Sequence, residues 1–117
     1  MRYNMGLDLT INEQHDITTD EKGRTTWQVT CLGNFRNCWN LFNIIQNRTN
    51  LNNCSTVDIG GDELKEILDD IREDIDENDS PKLRKELVEE LEYIEQVIKD
   101  GEIQLDNEHV YEIHAWW

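Results

Sequence analysis

Met5, Leu7, Leu9 and Ile11 alternate with Gly6, Asp8 and Thr10. Apolar residues at every second position predict a half-buried strand near the start of the chain. Trp27, Val29 and Cys31 alternate with Gln28 and Thr30 and predict a second strand. Between them, the Thr-Asp-Glu-Lys-Gly-Arg segment at 19–24 is turn chemistry, so the two strands form a long hairpin with Ile17 in its arm.

The period then changes. Phe35, Cys38, Trp39, Phe42 and Ile45 recur at spacings of three and four, predicting a core helix over 35–48 that Asn34 can cap. Residues 49–55 read as a polar loop. Val57, Ile59, Gly60 and Gly61 lead to Asp62, whose side chain can cap a second helix carrying the stripe Leu64, Ile67, Leu68, Ile71 and Ile75. Ser80 before Pro81 is an N-cap followed by proline at the first helical position, and it opens a third helix that runs to Asp100 and stops at Gly101. Its stripe is Leu83, Leu87, Leu91, Ile94 and Ile98, widened by Val88 and Val97. Tyr111, Ile113, Ala115 and Trp117 alternate and favour a closing strand.

These elements predict one α+β domain over residues 1–117. A small antiparallel sheet, the N-terminal hairpin plus the C-terminal strand, packs against about three helices. The helical stripes are expected to share a core with Trp27, Trp39 and Phe42.

Composition adds a surface to this fold. The chain has 26 acids against 11 bases, a net charge of −15, which disfavours contact with nucleic-acid phosphates or anionic lipid. A basic protein is the partner such a surface suits. The charge is uneven, with net −1 over residues 1–60 and net −14 over 61–117. No window is apolar enough to span a membrane. Three cysteines and no N-terminal leader pattern predict a protein of the reducing cytosol, in which the acceptor-like triplets at Asn47 and Asn53 stay unmodified.

Candidate chemistry is sparse. Cys31 and Cys38 lie seven apart and His109 and His114 five apart, neither a structural zinc spacing. Both Cys31 and Cys38 read as buried thiols, and Cys54, in the polar loop, as the most accessible one. With few cations nearby, a thiolate has little to stabilise it. Gly60-Gly61 resembles a phosphate loop only superficially, since it lacks the lysine and its acids repel phosphate. No cofactor, metal or catalytic residue is expected.

What remains is the acidic helix face. Between Asp62 and Asp79 stand ten acids and two bases. Like charges four apart on a helix repel, and a merely solvated face would more often mix its signs. Asp62, Glu63, Glu66, Asp69, Asp70, Glu73, Asp74, Asp76 and Glu77 are therefore the candidate partner-binding residues, with residues 86–95 as an extension. Asn37, Asn40, Asn43 and Asn47 form an amide stripe on the preceding helix and are a second candidate surface.

The opening Met5–Ile11 segment, the aromatic and asparagine-rich helix at 34–43, the Gly-Gly-Asp-Glu-Leu helix start at 60–64 and the closing strand together resemble small uncharacterised proteins of bacteriophages and prophages. The resemblance is one of layout and implies a setting in the host cytosol with no assigned activity. In size and charge the chain is also similar to anti-CRISPR inhibitors that imitate DNA with rows of carboxylates. The expected role is a phage-type accessory or inhibitor protein that occludes a basic, nucleic-acid-binding surface of a host protein. Two alternatives are a metal-dependent hydrolase built from carboxylates with His109 or His114, and a self-assembling structural protein using the aromatic end 111–117.

Overall fold

The computed structural model describes residues 6–117. Along the chain the elements are β1 (Asp8–Thr19), β2 (Thr25–Asn34), α1 (Trp39–Thr49), β3 (Ser55–Gly60), α2 (Gly61–Glu77), α3 (Pro81–Asp100) and β4 (Val110–Trp116). All strand pairs are antiparallel, in the order β2-β1-β4-β3. The architecture is α+β, as the hydrophobic periods predict.

Alternation builds the inner face of the sheet. Leu9 lies opposite Ala115, Ile11 opposite Ile113, and Ile59 opposite Tyr111, and all six are buried. Side chains at every second position of a strand share a face, so three strands present one apolar surface to the helices. The α2 stripe Leu64, Ile67, Leu68 and Ile71 is fully buried against it.

Several elements differ from their sequence-based expectations. β3 is a strand that the short run Val57-Asp-Ile59 did not announce; it makes the sheet four-stranded, and it pairs with β4 rather than with the hairpin. α1 starts at Trp39, not at residue 35, because Phe35 N–H and Asn37 N–H are held by the carbonyls of Leu9 and Leu7 as the β1–β2 pairing runs on. Asn34 is therefore the end of β2 and caps nothing. Asp62 is not the cap of α2, whose N-cap is Gly60 without a side-chain bond. Met5 lies outside the described residues, and β1 starts at Asp8.

The helix hairpin follows the sequence signals closely. Ser80 Oγ accepts the N–H of Leu83, Pro81 stands in the first turn and Gly101 terminates α3. Burial on α3 is one-sided along its length, with Leu91 and Ile94 in the core while Leu83 stays 50% exposed and Leu87 half-exposed. The full Leu83–Ile98 stripe is thus not a core face, since its first turns stay at the surface.

The expected tryptophan core is also corrected. Phe42 is buried, but Trp39 is 39% exposed and Trp27 is 47% exposed. Trp27 lies on the outer part of the β1–β2 hairpin, where all residues from Thr25 to Cys31 are exposed. This arm projects past the helices, and the radius of gyration of 15.8 Å exceeds the roughly 13 Å of a compact chain of this length. The aromatic partner of Phe42 and Trp39 is instead Trp117, with ring centroids 4.9 and 6.1 Å away.

Candidate interaction surface

The core stripe of α2 occupies one side of the helix, and the remaining arc is acidic. Asp62, Glu66, Asp70 and Asp74 follow one another at intervals of four, and Asp69, Glu73 and Glu77 make a second such row. Residues four apart on a helix are neighbours. Each row is thus a ladder of like charges.

Cations neutralise only part of it. Arg48, in the last turn of α1, reaches over to α2 and places its guanidinium 2.9 Å from Asp70 and 3.3 Å from Glu66. The bond to Asp70 raises the Arg48 pKa still further above its already high value. Lys65 and Arg72 both pair with Asp69, and Arg72 also approaches Glu95 of α3. Among the described residues, Asp62, Glu63, Glu73, Asp74, Asp76 and Glu77 have no ion-pair partner.

Four of these six, Glu73, Asp74, Asp76 and Glu77, crowd the C-terminal end of α2, which carries no basic residue in its last turn. The C-terminus is the negative end of the helix dipole, so carboxylates there are disfavoured by the backbone as well as by one another. Asp62 and Glu63 stand in the first turn, where the dipole favours them.

The unpaired acids border a furrow. One cleft, of about 420 Å³, is lined by Asn40 of α1, Asp74 and Glu77 of α2, Asn78, and Leu83, Glu86 and Leu87 of α3. An adjoining cleft shares Asp74 and Glu77 and adds Ile44, Asn47, Arg48, Asp70 and Glu73. Together they form a trough with carboxylates on its walls and Ile44, Leu83 and Leu87 as apolar patches. The surface-lying first turns of α3 supply two of these patches. Sequence reasoning found the acids of α2 but not the trough, which only the packing of three helices creates.

The amide stripe is split by the structure. Asn37 precedes α1 and its side-chain oxygen accepts the N–H of Leu7, so it serves the sheet. Asn40 and Asn47 line the acidic trough, and Asn43 is exposed.

At its other end α1 meets Glu90 of α3. The Glu90 carboxylate accepts the N–H groups of Asn40 and Leu41, at 3.3 and 3.1 Å. Burial raises the pKa of Glu90, against the opposing pull of these bonds. Cys38, next to it, is buried, and desolvation followed by the Glu90 charge pushes its thiol to about 12. Cys38 is therefore the inert thiol that its apolar neighbours predict. Cys31, by contrast, is exposed on β2, as is Cys54 in its loop.

The histidines are distributed, not gathered. His109 stands just before β4, with Nδ1 2.7 Å from Asp106 Oδ1, and this bond raises its pKa and lowers that of Asp106. His114 Nδ1 lies 2.8 Å from Thr56 Oγ1 across the β3–β4 pair. Among the described residues, no three or more His, Cys, Asp or Glu side chains are grouped so as to hold a metal ion. The aromatic C-terminus is largely taken up by the core, with Tyr111, Ile113 and Ala115 buried and Trp117 meeting Phe42 edge to face. Gly60 ends β3 and Gly61 opens α2, wedged beside the backbone of Gln104 and Asp106. No helix among the described residues is long and apolar enough to cross a membrane.

Comparison with protein-family models, with curated proteins and with solved structures finds no match to the chain.

Proposed function

We propose that this protein binds a basic surface of another protein through the acidic trough between α1, α2 and α3, and acts by occlusion without turnover. The reading is carried by the C-terminal end of α2. Glu73, Asp74, Asp76 and Glu77 oppose the helix dipole and one another, and no cation among the described residues forms an ion pair with them. An arrangement that costs folding energy finds its return when a cationic partner neutralises it. Rows of carboxylates also present charge as a nucleic-acid backbone does, so a host protein that normally holds nucleic acid is the partner class of choice. This is the working mode of a phage-type inhibitor such as an anti-CRISPR protein.

The nine acids of α2 do not contribute equally on this reading. Glu66, Asp69 and Asp70 are engaged by Arg48, Lys65 and Arg72, whereas Glu73, Asp74 and Glu77, with Glu86 across the trough, are free to meet a partner. The apolar patches at Ile44, Leu83 and Leu87 give the aliphatic stems of lysine and arginine a surface to lie on. Affinity purification from host lysate with two baits tests the proposal. Basic, nucleic-acid-binding proteins should be retained by the native chain and lost by a chain carrying Glu73→Lys, Asp74→Lys, Glu77→Lys and Glu86→Lys; identical retention by both baits contradicts it.

A further inference from the structure

Among the described residues, β2 is the outer strand of the sheet and pairs only with β1. Exposed sheet edges offer unpaired N–H and C=O groups to any other strand, and proteins ordinarily blunt them with charge, proline or brevity. The opposite edge, β3, is six residues long and carries Asp58. β2 has neither safeguard. It is ten residues long, and from Thr25 to Phe35 it contains no charged residue and no proline.

Its outer part is also apolar on the surface. Trp27 is 47% and Val29 45% exposed. A bulge in β1 sets Asp16 and Ile17 against Trp27, and Ile17 is 61% exposed. The arm is nonetheless held in shape. Thr18 bonds Thr26, Thr19 bonds Thr25, His15 bonds Thr30, and Asp20 accepts the N–H groups of Lys22 and Arg24 at the tip. A two-stranded ribbon standing clear of a core is marginal in water by itself, and a further strand stabilises it.

We infer that β2 pairs antiparallel with β2 of a second copy, about a two-fold axis at Gln28, making one continuous sheet across the pair. Charge selects a second copy as the occupant. A molecule of net −15 can approach itself only by a surface that lacks that charge, and residues 1–60, which contain the arm, carry net −1. Gln28 is the midpoint of the exposed run Thr25–Cys31. Pairing about it sets Trp27 of one copy opposite Val29 of the other, the aromatic with β-branched combination that stabilises antiparallel pairs. Thr25 then faces Cys31 of the other copy. α2, which carries most of the trough's acids, packs on the β3 side of the sheet, at the edge opposite β2, and the inference does not rest on what the trough binds.

Sedimentation velocity over a range of concentrations, at about 0.15 M and about 1 M salt to vary the screening, reads the association. A monomer–dimer equilibrium is expected, stronger at high salt. Trp27→Lys and Val29→Lys should each weaken it by about tenfold or more with an unchanged circular dichroism spectrum. In a Cys54→Ser background, Thr25→Cys should form a disulfide with Cys31 of the other copy, giving a dimer band without reductant, because facing residues of an antiparallel pair lie within disulfide range. Within one chain these positions are six residues apart on an extended strand and cannot meet. A chain that stays monomeric at high salt overturns the inference, even if its β2 edge captures another protein's strand. So does a dimer indifferent to Trp27→Lys, or one that Thr25→Cys fails to cross-link.

Discussion

Glu90 Oε2 accepts the backbone N–H of Leu41 at 3.1 Å, so a carboxylate from the middle of α3 caps the N-terminus of α1. The cap is tertiary. Cys38, at the N-cap position, offers no side-chain bond, and the orphan donors of the first turn are met from a helix 49 residues further along.

Glu90→Ala is expected to lower stability by about 0.5–2 kcal/mol, the range for losing a helix cap. Glu90→Gln should lose less, because it keeps an acceptor and removes a charge that burial disfavours. Urea denaturation of both variants measures this. The pH dependence has a definite sign. The folded pKa of Glu90 is raised from its ordinary 4.5, so its contribution is fully present below that value and declines as pH rises through the folded pKa. Subtracting the Glu90→Gln curve from the native curve should reveal this decline; a difference that grows with pH contradicts the assignment.

Gly61→Ala should destabilise the chain by about 1–3 kcal/mol, the cost of overpacking a filled site. A Cβ there would collide with the Gln104 carbonyl oxygen and lie 2.7 Å from that of Asp106, and both are backbone atoms that cannot rotate away. Gly23→Ala is the informative comparison. No atom lies within 4 Å of a Cβ at that position, but its φ of +78° is strained for alanine. A thermal melt in which Gly61→Ala matches the native protein would show that the 104–106 backbone yields.

Thiol labelling separates the cysteines. Cys31 and Cys54 are exposed and Cys38 is buried with its pKa near 12, so a maleimide at neutral pH should add twice rapidly and a third time only on unfolding. Intact-mass measurement over time reads the steps. Rapid triple addition to the folded chain contradicts the packing of Cys38 beneath Glu90.

Period and punctuation carried most of the fold. The stripe of α2, the Ser80-Pro81 start of α3 and the alternation of β4 each follow from local pattern, and each stands where that pattern places it. β3 was hidden because Val57 and Ile59 give only one full alternation, too short to separate a strand from a loop. Strand alternation points Trp27 to the core and helical spacing points Trp39 there, yet the position of each is set by topology. Trp27 rides on an arm with no helix above it, and Trp39 shares its aromatic contacts with Trp117 across the chain. The acids of α2 were legible as a face. Their division into paired and unpaired members was not, since it depends on Arg48 arriving from α1.

That division supplies the most direct test of the central claim, that the trough and not the bulk charge engages a basic partner. One variant reverses Glu73, Asp74, Glu77 and Glu86 to lysine, and a second of identical net charge reverses Asp58, Glu92, Glu102 and Glu108, all outside the trough. Asp69 and Asp70 are left alone because reversing them would break the pairs with Arg72 and Arg48. Binding of a fluorescent oligo-arginine peptide is followed as salt is raised, with circular dichroism as the check on folding. The account predicts that the trough variant associates about tenfold or more slowly than the native chain at low salt and shows a flatter salt dependence, while the second variant stays near native. Equal weakening in both variants would mean that only total charge matters, and the trough would then not be a binding site.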